Sequence, residues 1–421
     1  LIVGPTSILY NWEKEIAKFS ELSSIVLYAN RKERLEKLKH REYTFYIINY
    51  EALHLFIREL IDLEFDAIIF DESARYIKNG EANRTKAAII LADRARYKLI
   101  LTATPIANRP LDVWSQFRVL DGGRSFSTNY FRFRSTFFKK IKLGAWNKWI
   151  LRKDKIPQFQ SIIYSSCIRI KKEDALDLPE RIYQDIKVPI GNLEETYRAV
   201  ERKVIKEIEA IEIETTKGTS RLKINNILTK LLKLQQLTAG FIKDSDGKEI
   251  TLKATPKLDA LIEQIEIILD AEESVIVWCR FRYTIQLIKS ALENIGIKYI
   301  TMYGADTGKK KYEKWNGFQK SKNINVFVGQ IESGGFGIEL FKIGSKAKQQ
   351  HMIFYELTWS PDAYDQASGR IHRIGQKSVC RYTNMYIANT IDERIINSKN
   401  EKKEIADLII EKGARNFLKR N

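Results

Sequence analysis

Two carboxylates and two guanidiniums are the groups in this sequence whose types and spacing suit phosphoryl chemistry. The apolar run Phe65-Asp-Ala-Ile-Ile-Phe70 ends in Asp71 and Glu72. At the C-terminal end of a buried parallel strand, such a pair lies where α/β sheets bind ligands. One carboxylate can hold Mg²⁺ through water while its neighbour orients and deprotonates the attacking water. Far along the chain, in Asp365-Gln-Ala-Ser-Gly-Arg-Ile-His-Arg-Ile-Gly-Gln376, polar residues repeat with a helical period around the apolar Ile371 and Ile374. A helix there places Gln366, Arg370 and Arg373 on one face. Their guanidiniums suit a transferring phosphoryl group whose charge spreads over its oxygens, and lysines cannot form the same planar fork. Taken alone, each feature also reads as an ordinary strand end or a solvated basic helix face.

The elements that must position these groups are legible as alternating strands and helices. Residues 1–3 are an apolar strand, and Gly4-Pro5-Thr6-Ser7 punctuates it before a helix with Leu9, Trp12, Ile16 and Phe19 at the 3.6 period. Thr6 or Ser7 is expected to cap that helix, whose free N–H groups make a natural phosphate site. Residues 46–48, 65–70 and 97–101 are further strands, and the helix after Pro110 turns Leu111, Trp114, Phe117 and Leu120 inward. In the second half, strands at 274–279, 299–303, 325–329, 352–355 and 381–386 again alternate with helices, so two parallel-sheet lobes are expected. After the third of these strands comes Ser333-Gly-Gly-Phe-Gly337, where Gly334, Gly335 and Gly337 let backbone N–H groups approach a phosphate or ribose.

Size and charge narrow the class. A chain of 421 residues exceeds a single core and predicts two or three domains. Its 71 Lys and Arg against 53 Asp and Glu leave +18, which points to a polyanionic partner. Cys167, Cys279 and Cys380 are too scattered for a disulfide framework or zinc ribbon and fit a reducing cytosol. No apolar run approaches the length of a membrane span. Between residues 125 and 155, aromatics interleave with cations including Lys139, Lys140 and Lys142, and Asp154 is the only acid. That texture suits nucleic-acid contact, and equally a helical protrusion with a small aromatic core under solvated charges. Residues 193–213 and 222–237 read as amphipathic helices joined by a loop at 215–220, and 401–412 as a tail helix.

The Gln-x-x-Gly-Arg-x-His-Arg-x-Gly-Gln string resembles motif VI of the superfamily 2 helicases, in the form typical of the Swi/Snf-type DNA-translocating ATPases. Other strings agree in order. Val3 to Trp12 resembles motif Ia, which implies that Pro5, Thr6 and Ser7 touch a nucleic-acid backbone, and Asn49-Tyr50 resembles motif Ib. Asp71-Glu-Ser-Ala74 resembles motif II, with Ala74 where histidine is usual, and Thr102-Ala-Thr-Pro-Ile106 resembles motif III, implying a coupling role for Thr102 and Thr104. The Gly-rich loop resembles motif V, with Glu339 where asparagine is usual. There the resemblance implies nucleic-acid contacts from Ser333 and Gly334 and nucleotide contacts from Gly335 and Gly337. Thr358-Trp-Ser-Pro361 is similar to the aromatic-Pro element before motif VI, which adds Trp359 to the strand contacts.

The resemblance implies an α/β fold of two RecA-like parallel-sheet lobes with helical insertions between motifs III and IV. The expected division is a first lobe at 1–175 with a helical insert at about 121–160 and a connecting strand with a second protrusion at 176–250. A second lobe at 251–395 and a tail helix at 396–421 complete it. The implied activity is ATP-dependent translocation on double-stranded DNA, with ATP and Mg²⁺ as cofactors and Asp71, Glu72, Gln366, Arg370 and Arg373 as catalytic residues. Strand-separating DNA or RNA helicase activity, and a truncated non-hydrolysing nucleic-acid-binding protein, are the alternatives. Leu1 starts directly in a strand, and the Gly-x-x-x-x-Gly-Lys-Ser/Thr phosphate loop of such motors is absent from these residues. The expectation is therefore a motor core cut before its first strand, inactive at this extent. A small phage or bacterial member, acting in the cytoplasm or in that of a host, fits the compact inserts.

Overall fold

The apolar runs become two separate parallel sheets in the computed structural model. It describes residues 1–400 except 104, 107–108, 144–145, 171, 214–220, 245, 307 and 332–337; side chains are also undescribed at 142–148, 172–173, 209–225, 308, 361–362 and 399–400. The chain divides into a first unit, Leu1–Ile141 with Asn147–Ile170, and a second, Lys142–Trp146 with Lys171–Asn421.

In the first unit, β1 (Ile2–Gly4), β2 (Ser24–Val26), β3 (Phe45–Asn49), β4 (Ala67–Asp71) and β5 (Tyr97–Leu101) form one sheet in the order β2-β3-β1-β4-β5. Every pairing is parallel, with Val3 opposite Ile48 on one side and Phe70 on the other. The chain ends of β1 and β4 therefore lie side by side. Gly4 is required there, because a Cβ would stand 2.9 Å from Ile8 Cδ1 and 3.8 Å from Asp71 Cβ. After β1 the chain makes a 3-10 turn, Thr6–Ile8, and then the helix Leu9–Phe19. Neither Thr6 nor Ser7 caps it, contrary to expectation: Pro5 and Ile8 occupy the two cap positions, and neither helix start carries a side-chain cap bond. Leu9 and Ile16 are buried, but Phe19 at the helix end is exposed.

The insert is not purely helical, which corrects the expectation for residues 121–160. The helix Tyr130–Phe137, capped by Asn129, leads straight into a two-stranded sheet of β6 (Phe138–Leu143) and β7 (Trp146–Leu151), and the helix Ile156–Ser165 follows. Its aromatics do form a core of their own: Phe117, Phe126, Phe133, Phe137, Phe138 and Phe159 are buried together, mostly edge to face.

The second unit's main sheet contains β8 (Arg181–Val188), β11 (Ser274–Cys279), β12 (Tyr299–Met302), β13 (Val326–Gln330), β14 (Gln349–Phe354) and β15 (Val379–Ile387). Between β8 and β11, β9 (Phe241–Lys243) and β10 (Glu249–Thr251) pair antiparallel in a sheet of their own. The order of the main sheet is β12-β13-β11-β14-β15-β8, all parallel. β8, expected as a connector, is thus an edge strand of this sheet, with Tyr183 stacked on Tyr382 of its neighbour. β11 is buried at every residue, as a strand covered on both faces must be. The helices Glu194–Ile213 and Arg221–Thr238 add Tyr197, Val204, Ile208, Leu231 and Leu234 to the same core. A buried ion pair ties the helix Pro256–Asp270 to the helix Ile391–Asn400: Lys257 Nζ stands 2.6 Å from Asp392 Oδ2, and Thr238 Oγ1 donates to Asp392 Oδ1. The tail expected at 401–412 lies outside the described residues.

Candidate functional site

In the first unit, Asp71 is the last residue of β4 and both of its carboxylate oxygens are directed. Trp12 Nε1 donates to Oδ2 at 2.9 Å, and the Glu72 amide donates to Oδ1 at 2.8 Å. Glu72 has left-handed backbone, φ 53, which costs a non-glycine residue roughly 1 kcal/mol or more and turns the chain sharply into the short helix Ser73–Tyr76. Both acids are half-buried at the strand end. Ser73 Oγ donates to Gln116 Oε1, and Gln116 Nε2 donates to the Pro105 carbonyl at 2.8 Å. Gln116 thereby joins the segment after β4 to the segment after β5, where Thr102 is half-buried and Thr104 lies outside the described residues.

Pro5 is buried beside this strand end, with Thr6 and Ser7 half-buried. The next two expected contacts, Asn49 and Tyr50, are buried as well. Tyr50 is fully buried, stacks on Tyr76 with ring centroids 4.6 Å apart, and donates its hydroxyl to the Asp71 carbonyl. Burial, reinforced by Asp71, pushes its phenol well above the usual range. Asn49 is also buried, accepting from Arg34 Nη1 and donating to Glu51 Oε2. These two side chains brace the strand ends. Lys139 and Lys140 are exposed in β6, and the side chain of Lys142 lies outside the described residues.

In the second unit the expected helix over 365–376 ends early. It runs Pro361–Ser368, and Arg370 and Arg373 stand in the turn that follows. The ladder breaks at the Arg370 amide, which donates to the Ala367 carbonyl three residues back, and the Arg370 carbonyl accepts the Leu340 amide at 2.9 Å. The single face of Gln366, Arg370 and Arg373 is therefore not formed. Arg370 is 3% exposed and its Nη1 donates to the Ile338 carbonyl, whereas Arg373 is half-buried with Nε on the Gly369 carbonyl at 3.0 Å. Gln366 Oε1 is buried without a hydrogen bond among the described residues. Ile371 is buried while Ile374 is exposed. Ser333, Gly334, Gly335 and Gly337 lie outside the described residues.

A network that sequence reasoning missed lies at the ends of β11 and β14. Glu356 is fully buried and accepts from the Arg280 and Phe281 amides and from Thr284 Oγ1, which fixes the start of the helix Arg282–Asn294. The Arg280 guanidinium lies 4.4 Å from the Trp359 ring, so Trp359 is held against its own unit. The only sequence signal was an acid, Glu356, directly after the apolar run Met352-Ile-Phe-Tyr355.

Among the described residues no three His, Cys, Asp or Glu side chains cluster to hold a metal. Mg²⁺ in nucleotide sites takes one or two carboxylates plus phosphates, and the directed carboxylate of Asp71 beside Glu72 fits that donor set. Nor is any helix among these residues long and apolar enough to cross a membrane.

Residues 1–239 match the SNF2-related domain and residues 256–375 the helicase conserved C-terminal domain. An uncharacterized ATP-dependent helicase of Mycoplasma pneumoniae is 27% identical over 412 residues, covering 96% of this chain and 36% of its own length. The putative ATP-dependent helicase/translocase YwqA of Bacillus subtilis is 24% identical, covering 98% of this chain and 43% of its own. The chain thus spans less than half the length of these curated relatives. Among solved structures, the SWI2/SNF2 ATPase core of Sulfolobus solfataricus in complex with dsDNA is 24% identical, covers 98% of this chain and 82% of its own, and has a TM-score of 0.43. With the SNF2-related domain matched across more than half of its residues and a helicase C-terminal domain behind it, the chain belongs to the SNF2-related family of helicase-like ATPases.

Proposed function

We propose that this chain is the core of an ATP-driven motor that moves along double-stranded DNA. The observation that carries the reading is the Asp71–Glu72 pair at the C-terminal end of β4, with both Asp71 oxygens directed by donors and Glu72 held on a strained turn. Mg²⁺, when bound, neutralises the phosphate oxygens of ATP. Asp71 is the residue that holds the ion, and Glu72 takes the proton of the attacking water. Arg373 stabilises the charge developing on the transferring phosphoryl, and the buried Arg370 keeps its turn in place. Thr102 and Thr104 pass the state of the nucleotide onward. Pro5, Thr6 and Ser7 track one strand, helped by Ser333, Gly334 and Trp359, and the basic insert adds phosphate contacts through Lys139, Lys140 and Lys142.

The test is steady-state ATP hydrolysis by the full-length natural protein, beside a DNA-binding titration. Glu72→Gln and Arg373→Ala should each lower kcat by about 10² or more with DNA affinity nearly unchanged. Duplex DNA should stimulate hydrolysis more than single-stranded DNA or RNA, with little opening of a fluorescent fork. Loss of DNA affinity with kcat intact would sink the residue roles. Preference for RNA, or efficient fork opening, would replace translocation by strand separation.

A further inference from the structure

The insert of the first unit carries one ring and several cations outside its core, set against rings that line the core's rim. On the helix Tyr130–Phe137, Phe133 and Phe137 face the buried aromatic cluster, while Phe131 is 68% exposed. Arg134, a turn further on, has its guanidinium 5.2 Å from the Phe131 ring, 5.6 Å from Tyr130 and 4.3 Å from Trp149 of β7. Arg134 makes no ion pair among the described residues. The platform is braced from the preceding helix. Tyr130 stands edge-on to Trp114 at 5.4 Å, and Trp114 Nε1 donates to the Ser127 carbonyl at 2.9 Å.

Charge decides what such a platform takes. Residues 125–155 carry nine cations and one acid, Asp154, which is paired with Arg152 at 2.8 Å. Arg132, Lys139 and Lys140 are exposed around the rings' helix and the strand that follows it. An apolar partner gains nothing from this field, and an acidic peptide gains nothing from an exposed ring. A nucleic-acid strand uses both, since its bases stack on aromatic faces and guanidinium planes while its phosphates meet cations.

We propose that this insert is a stacking site for a nucleic-acid strand, in which an unpaired base lies on Phe131 and Arg134 while Arg132, Lys139 and Lys140 take neighbouring phosphates. It goes beyond the motor reading, which asks the insert only for phosphate contacts, and it needs no ATP hydrolysis. Such a base is available at a duplex end, a gap or a single strand, so the site gives the protein a preference for DNA that is not fully paired.

Fluorescence anisotropy of the chain with a short labelled oligothymidine, and with an abasic strand of equal length, tests it at one salt concentration. Phe131→Ala should weaken oligothymidine binding by about fivefold or more, the scale of one stacked base, and leave the abasic strand unchanged. Phe131→Tyr should restore the difference. Lys139→Gln with Lys140→Gln should weaken both strands alike. Unchanged oligothymidine binding by the Phe131→Ala protein, or equal loss on both strands, would overturn the proposal. So would displacement of oligothymidine by polyglutamate as effective as by abasic DNA of the same charge. Failure here leaves the ATPase outcomes for Glu72 and Arg373 untouched, so the two readings fail separately.

Discussion

Burial pushes the Glu356 carboxyl from its ordinary 4.5 up to about 7, even though the Thr284 hydroxyl and the Phe281 and Arg280 amides favour its charged form. Between those values the unfolded chain has released this proton and the folded chain keeps it. Stability contributed at this site therefore falls as pH rises through that window, and the cost persists above it. Glu356→Gln removes the titration, and its amide can still accept the two backbone N–H groups and donate to the Thr284 hydroxyl. The variant should gain thermal stability over the natural protein progressively from pH 5 to 8, read as the difference in Tm; a difference independent of pH would show that Glu356 is charged throughout. At this scale the sequence was only partly legible. The placement of Asp71 and Glu72 at the end of a strand was written in their type and position. The inward turn of Tyr50 was not, because a polar residue just past a strand end reads the same whether it faces core or solvent. Gln366, Arg370 and Arg373 do follow a helical spacing, but the Leu340 amide that claims the Arg370 carbonyl comes from a segment thirty residues earlier, outside any local pattern.

The elements that were easiest to read are those that packing leaves no choice about. β11 and β13 are apolar on both faces, and Gly329 in β13 is there because a Cβ would lie 2.7 Å from Trp278 Cζ3. The hairpin of β6 and β7 was harder, since its Lys and Trp residues alternate weakly and its neighbours are helices; Gly144-Ala145 between two strand-like runs was the available signal. The joint between the helices Pro256–Asp270 and Ile391–Asn400 was not readable at all, because Lys257 and Asp392 are separated by most of the second unit. That joint makes a prediction for the element pair. Lys257→Met strands a buried carboxylate and should cost about 3–5 kcal/mol in denaturant unfolding, while adding Asp392→Leu should return much of it. Equal losses in the single and double variants would mean that the two helices are held by their apolar contacts alone.

For the whole molecule, the edges of the two sheets matter most. β5 ends its sheet with Tyr97 54% and Leu99 48% exposed, an unusual surface for an all-parallel sheet, and among the described residues no strand pairs with its outer side. The polypeptide of residues 1–421 should self-associate through this edge at micromolar concentration. Tyr97→Lys with Leu99→Lys should return it to a monomer in sedimentation velocity; a natural sequence that is already monomeric at every concentration tested would show the edge to be inert. Charge was the one global property fully legible beforehand, because +18 needs only counting.

The opposite edge of the second sheet has a consequence in time. β8 pairs with β15 through Cys380 opposite Arg181, so the sheet's outermost strand is made 199 residues before the partner it needs. At ribosomal speeds of about 5–20 residues per second, that is a wait of roughly 10–40 s. Through that interval β8 waits for β15, the strand through which it joins its sheet, while residues 1–170 of the first unit have already been made. β8 can take its place only when β15 slots between it and β14, so the far edge of this sheet is set late in the making of the second unit.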